Sequence, residues 1–293
     1  MEDRNFTFED YPTELDKYEF NGYGNSSEGV TNETKKKQHP GIKILMYHRI
    51  VEDRFLSNNC RYCLHVNEFC RQLEILIQLG YTPVTFHDFH LFRIGELQLP
   101  KKPVIITFDD GYLDTYILAC PMLVEFGMRA VVFVMGDRSL KTNQWDKYRK
   151  DIPVASLMED HHVQKLHARG FEIGAHALSH ANLSHLPEED AYYEIKTSKL
   201  ILESLIGVSV QSFAYPLGSV NASIKKMIAK IGYQFACGVY SGPARFGEDL
   251  LEIRRIEIHN KMSQAEFLLR MKTPFEYIEW VKWKTKKIRS MFM

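Results

Sequence analysis

The chain has 293 residues, 45% of them hydrophobic, enough for one large domain or two smaller ones with their own cores. Its 37 Lys and Arg balance 37 Asp and Glu with no early basic run, so no nucleic-acid partner is expected. No stretch reaches about 18 uninterrupted apolar residues, so no spanning helix is expected, and the charged opening "MEDRNFTFEDYPTELDKYEF" lacks the apolar centre of a signal peptide. Five cysteines in no regular framework fit a reduced compartment, and a cytoplasmic protein is the expectation. Five N-x-S/T sequons, at Asn5, Asn25, Asn32, Asn182 and Asn221, then read as chance matches.

Residues 1–40 are polar and rich in Gly, Ser, Asn and Lys, which predicts a flexible leader. A main domain is expected over 41–262 and a basic helical tail over 263–293. "IKILMY" (42–47) reads as a buried strand, and residues 66–79 have helical spacing with Gly80 as the stop. "TPVTF" (82–86), "PVIITF" (103–108) and "AVVFVM" (130–135) read as strands, with a helix over 114–127 that Asp114 would cap. A loop with Trp145 follows, then a helix near 159–169, strand "FEIGA" (171–175) and a helix over 187–206 with Pro187, Glu188 and Glu189 in its first turn. Strand "SFAYP" (212–216), helix 222–232, and strands "QFACGV" (234–239) and "EIRRIEI" (252–258) complete the series. Strands this apolar, alternating with helices, form parallel sheets covered on their faces. Six or more such units predict an α/β fold, a distorted, partly closed (β/α) barrel, with an open doubly wound sheet as the alternative. Either fold carries its site at the C-terminal ends of the strands.

"VIITFDDGY" (104–112) ends a greasy strand in two carboxylates and a glycine. Adjacent strand residues point to opposite faces, so Asp109 and Asp110 can share a pocket only if the chain turns there, and Gly111 supplies a turn. Two such charges raise each other's pKa unless a cation divides their roles. "EIGAHALSHANLSH" supplies candidate ligands: His176 and His180 lie four apart just after a strand. With one Asp they make a three-ligand set that leaves positions open for water and substrate. Zn(II) fits best, with Co(II), Ni(II), Mn(II) and Fe(II) as alternatives. His185 is close by but at a poorer spacing. One Asp would then ligate, and the other would take a proton from a water whose pKa the metal lowers, which is hydrolysis of an amide or ester.

"TFDDG" (107–111), "HALSH" (176–180) and "FAYPLG" (213–218), in this order, resemble the motifs of the polysaccharide deacetylase family, carbohydrate esterase family 4, over roughly residues 42–260. The resemblance implies a metal-dependent barrel that removes acetyl groups from sugars, with Asp109 as general base and Asp110, His176 and His180 holding the metal. The family's usual Arg-Pro-Pro-Tyr is "AYPL" here. Ala214 stands where the base-steadying arginine would be, and Leu217 stands for the tyrosine whose N–H binds the oxyanion. "ILMYH" ahead of the Asp motif resembles the poly-N-acetylglucosamine deacetylase-like branch, which implies His48 as general acid. His259, ending "EIRRIEIH", is the other candidate. Arg255, Glu257 and His259 share one strand face and Ile256 and Ile258 the other, so Arg255 should point inward and could steady Asp109.

The expected substrate is an N-acetylated sugar in a polysaccharide or a lipid-linked glycan precursor. A deformylase or amidase acting on a non-polymeric substrate, or a non-catalytic glycan-binding module, are the alternatives. Trp145 could stack on sugar or anchor its loop. Cys60 and Cys63 form "CRYC" without the second pair that a zinc site needs. In the tail, Tyr277, Trp280, Val281, Ile288, Met291 and Phe292 fall near one stripe among Lys282, Lys284, Lys286, Lys287 and Arg289. This is the composition of a helix docked with a basic face in solvent, or of one lying on an anionic membrane through 275–293.

Overall fold

The computed structural model describes residues 41–291. The expected leader, residues 1–40, and Phe292 of the tail stripe lie outside the described residues. The chain enters through strand β1 (Lys43–Tyr47). It then makes an excursion of strand β2 (Arg49–Val51), helix α1 (Arg54–Asn59) and strand β3 (Cys63–His65). Helix α2 (Val66–Gln78), strand β4 (Thr82–Pro83) and helix α3 (Phe86–Ile94) lead to strand β5 (Pro103–Phe108). A π-helical turn over Thr115–Ala119 continues as helix α4 (Cys120–Glu125), followed by β6 (Val131–Val134), α5 (Asp160–Ala168) and β7 (Glu172–Ala175). Helix α6 (Glu188–Ile206), β8 (Ser212–Ala214), α7 (Ala222–Ile231), β9 (Phe235–Cys237) and β10 (Ile256–Glu257) follow. Helices α8 (Gln264–Lys272) and α9 (Phe275–Met291) close the chain.

The main sheet runs β10-β1-β5-β6-β7-β8-β9 with every pair parallel, and β4 lies beside the first residues of β5. Main-chain bonds from Ala236 and Gly238 to Leu250 and Ile253 bring β9 against the segment entering β10. The sheet thus curls into the partly closed barrel that the alternation predicts. Side-chain alternation divides the core. Leu45, Tyr47, Ile106, Phe108, Val132 and Phe213 pack outward under the helices, and the same core takes in Phe267 and Met271 of α8. Ile42, Ile44, Phe86, Phe89, Phe133 and Phe235 fill the barrel itself. This inner filling sits toward the strands' N-terminal ends, where α3 plugs the barrel.

Local expectations fare unevenly. The strand expected over 82–86 pairs only at Thr82–Pro83, because Thr85 caps α3 in a capping box with Asp88. The excursion from β2 to β3 has no counterpart in the sequence reading. Asp114 makes no cap bond; its carboxylate instead accepts from Arg49 Nε at 2.7 Å. Pro187 stands just ahead of α6, whose first turn holds Glu188, Glu189 and Asp190. Of the apolar run over 252–258, only Ile256–Glu257 is regular strand.

Candidate active site

Parallel register sets the rim. Tyr47 pairs with Phe108, so His48 and Asp109 leave the sheet side by side, and Asp109 N–H donates to Tyr47 O. Val134 pairs with Ala175 and Ala175 with Phe213, which sets His176 beside the ends of β6 and β8. The chain turns at Asp110, whose φ of 71° is left-handed, and at Gly111. A Cβ at Gly111 would stand 2.8 Å from Val134 Cγ1, so only glycine fits. This double turn is how two adjacent aspartates face one pocket. Among the described residues the non-glycine residues with positive φ are Asp110, Ala177, His180 and Leu217, all at this rim. Such strain gathers at functional sites.

These turns surround an open pocket of about 380 Å³ that includes His48, Asp109, Asp110, His176, His180 and Leu217. Arg255 lies beneath its floor and is buried. Its Nη1 and Nη2 donate to the two Asp109 oxygens at 2.6 and 2.7 Å, and Nε and Nη1 also donate to Gly238 O and Thr107 Oγ1. Burial would raise the Asp109 carboxyl, but this fork outweighs it and holds the group below the usual carboxylate range. Ala214, at the end of β8, contributes its carbonyl to the site, which accepts from His176.

Asp110, His176 and His180 are buried, with ligand atoms within 4.8 Å of one another. Asp110 Oδ1 lies 3.1 Å from His176 Nε2 and 3.3 Å from His180 Nε2, yet it makes no well-formed hydrogen bond. A buried, unsatisfied carboxylate oxygen is costly, and a cation among these three atoms would remove the cost. His176 Nδ1 donates to Ala214 O at 2.8 Å, so its Nε2 carries the lone pair that a metal needs. The donor set therefore fits a divalent cation. Burial would lower the His176 pKa, but Asp110 and Asp109 outweigh it and raise it. Trp145 stacks on His180, with ring centroids 4.6 Å apart, and Asp146 beside it also lines the pocket.

Of the two histidines considered as acid, His48 lines the pocket with its ring 4.6 Å from that of Tyr62, while His259 is not part of the lining. The Nδ1 of each is buried without a hydrogen bond among the described residues. His185 is exposed and outside the ligand set. Leu217 is left-handed at φ 58° in a tight turn, with its side chain 62% exposed. All five cysteines are free. "CRYC" stands out in the sequence for its thiols, but its turn presents Arg61 and Tyr62 to the pocket, which no local signal announces. Arg61 pairs with Glu257 at 2.9 and 2.7 Å, and Tyr240 OH also donates to Glu257. Arg149 lies over the Tyr62 ring.

A family model described as polysaccharide deacetylase matches residues 96–236. YxkH of Bacillus subtilis (strain 168) is 27% identical over 233 residues, which span 80% of this chain and 77% of that protein. The poly-beta-1,6-N-acetyl-D-glucosamine N-deacetylase of Escherichia coli (strain K12) is 24% identical over 264 residues, 78% of this chain but 38% of that longer protein. Among solved structures, the Streptococcus pyogenes deacetylase PplD in complex with acetate matches at a TM-score of 0.68 and 24% identity, covering 80% of this chain and 99% of that one. IcaB from Ammonifex degensii matches at 0.64 and 22%, covering 81% and 98%. The two structural likenesses speak to the fold, and they agree with the motifs and the family model over the same barrel. Over residues 96–236 the chain is similar to the polysaccharide deacetylase family, and its barrel shares the fold of PplD and IcaB.

Proposed function

We propose that the protein is a metal-dependent hydrolase that removes acetyl groups from N-acetylated sugars of a polysaccharide or a lipid-linked glycan precursor. One observation carries the reading. A carboxylate held by an arginine fork, Asp109, stands beside a three-ligand cluster, Asp110–His176–His180, in one open pocket. A binding module has no use for a free base next to such a cluster.

A divalent cation bound by Asp110, His176 and His180, Zn(II) fitting best, would supply an activated water and polarise the acetyl carbonyl. Asp109, kept ionised by Arg255, accepts the proton of the attacking water. Leu217 N–H, turned out by its left-handed φ, faces the charge that develops on the carbonyl oxygen. His48 delivers a proton to the leaving amine, the role for which His259 is the alternative. The rim residues Arg61, Tyr62, Trp145 and Tyr240 hold the sugar. The reading includes a cytoplasmic location with peripheral membrane contact through 275–293.

The test is metal analysis combined with identification of the acid released from N-acetylglucosamine oligomers. Acetate is expected, whereas formate from a formylated substrate would move the reading to a deformylase. Asp109→Asn should keep the metal and lose activity by roughly two to four orders of magnitude, the usual worth of a general base. An Asp109→Asn protein as active as the parent would overturn the mechanism.

A further inference from the structure

Helix α9 is built with two useful faces. Phe275, Glu276, Glu279, Trp280 and Trp283 form a half-buried face toward the barrel, where Glu276 accepts from Lys43 at 2.5 Å and Arg254 lies over the Trp283 ring. At about 100° per residue, Tyr277, Val281 and Ile288 fall within about 40° of one another on the opposite side. They are 56%, 46% and 53% exposed. Cations flank this stripe on both sides: Lys284 and Lys287 on one, Lys282, Lys286 and Arg289 on the other, all exposed. From Trp280 to Arg289 the helix carries no acid. An outward apolar stripe between two cationic edges matches the section of a helix lying in a lipid headgroup layer. A second copy is a poor occupant, because self-pairing would set these cations against one another. No described helix is long and apolar enough to cross a membrane.

The helix also has a fixed place. Lys43, which holds its first turn through Glu276, Arg270 O and Thr273 O, begins β1. His48, at the pocket, directly follows the end of that strand, about 16 Å away at ~3.3 Å per residue. The cavity of about 400 Å³ at the start of α9, which includes Ile42, Ile44, Phe246 and Glu276 and has the exposed Tyr277 at its edge, shares no lining residue with the candidate active site. Helix and pocket occupy opposite poles of the barrel.

We propose that α9 lays Val281 and Ile288, with Tyr277 at the edge of the contact, into an anionic bilayer surface and holds the pocket open away from it. The glycan this pocket reaches is then a chain extending past the barrel. A sugar whose lipid carrier lies in the same leaflet stays at headgroup level, a barrel's height below the site. The choice of substrate limb rests on the deacetylase reading; the membrane contact does not.

The full-length protein is sedimented with phosphatidylcholine vesicles with and without phosphatidylglycerol. Binding is expected only with phosphatidylglycerol, and Val281→Asp with Ile288→Asp should weaken it at least tenfold, while unchanged melting temperature and activity on soluble oligomers show the fold intact. No binding by the parent, equal binding by the variant, or a parent dimer that the variant dissolves would overturn the membrane contact. Brominated phosphatidylglycerol tests the polarity through native tryptophans. Trp145→Phe protein, which keeps Trp280 and Trp283 within one helix diameter of the bilayer, should be the more strongly quenched. Trp280→Phe with Trp283→Phe, which leaves Trp145 at the pocket, should be quenched less; equal quenching would overturn the opposite-pole geometry. A protein that binds as described but releases no acetate from any glycan would sink the deacetylase reading and leave the membrane contact standing.

Discussion

Asp109 and Arg255 form a pair in which each partner needs the other. Both are buried, and the fork spends two guanidinium bonds on one carboxylate. Removing the arginine outright would strand a buried charge at a cost of about 3–5 kcal/mol, so truncation would confuse folding with function. Arg255→Lys keeps the charge and loses the fork. The sign of the expected pH effect follows from the pair. Arg255 lowers the Asp109 pKa against burial, so the carboxylate survives to lower pH. With a weaker partner the carboxyl protonates at higher pH. The acidic limb of kcat/KM should therefore move to higher pH in Arg255→Lys, measured on soluble oligomers from pH 4 upward. An unmoved limb would mean that the base titrates independently of this arginine. Leu217 gives a complementary case. Its proposed contribution is a main-chain N–H and its side chain is 62% exposed, so Leu217→Ala should keep kcat within about threefold.

At the scale of the element, the site depends on strand interiors packed behind it. Gly174 lies two residues before His176 on β7, and a Cβ there would stand 2.3 Å from Phe133 Cδ1 and 2.8 Å from Ser212 Oγ. Gly174→Ala should destabilise the fold by about 1–3 kcal/mol through overpacking and loosen metal affinity by displacing His176, read from denaturant midpoints and a metal titration. Thr85→Ala, which uncaps α3 at the other pole, should cost about 1 kcal/mol and leave metal affinity unchanged. The contrast also shows what a sequence discloses. The sheet, the turn at Asp110 and the Asp/His/His grouping were legible because period, length and spacing are local signals. Arg255 was legible through alternation, since its neighbours Ile256 and Ile258 had to meet helices. The capping box at Thr85 and Asp88 was present in "TFHD" but was outweighed by the apolar strand pattern. Arg61 and Tyr62 were not legible as pocket residues, because the excursion from β2 to β3 reaches the rim only through tertiary contacts such as Arg61 with Glu257.

For the molecule as a whole, a cation held by the Asp110–His176–His180 cluster would couple folding to metal binding. Asp110, His176 and His180 come from the ends of two strands, β5 and β7, with Ala214 at the end of β8 orienting His176. The unfolded chain does not bring these groups together, so a cation that binds the folded barrel stabilises it. At a free concentration a thousandfold above its dissociation constant, the gain is about 4 kcal/mol. At ~2–4 °C per kcal/mol for domains of this order, chelation should lower the melting temperature by roughly 8–16 °C. The histidines must be neutral to ligate, and Asp110 and Asp109 raise the His176 pKa against burial when no cation is bound. Protons therefore compete, and the metal-dependent increment should shrink as pH falls through the histidine range. His176→Ala should melt at the same temperature with and without chelator, while Asp109→Asn should keep the full chelator-sensitive increment and lose the chemistry. A parent protein whose melting temperature ignores chelator after verified metal loading would show that the three ligands are satisfied without a cation, and would remove the metal from the proposed mechanism.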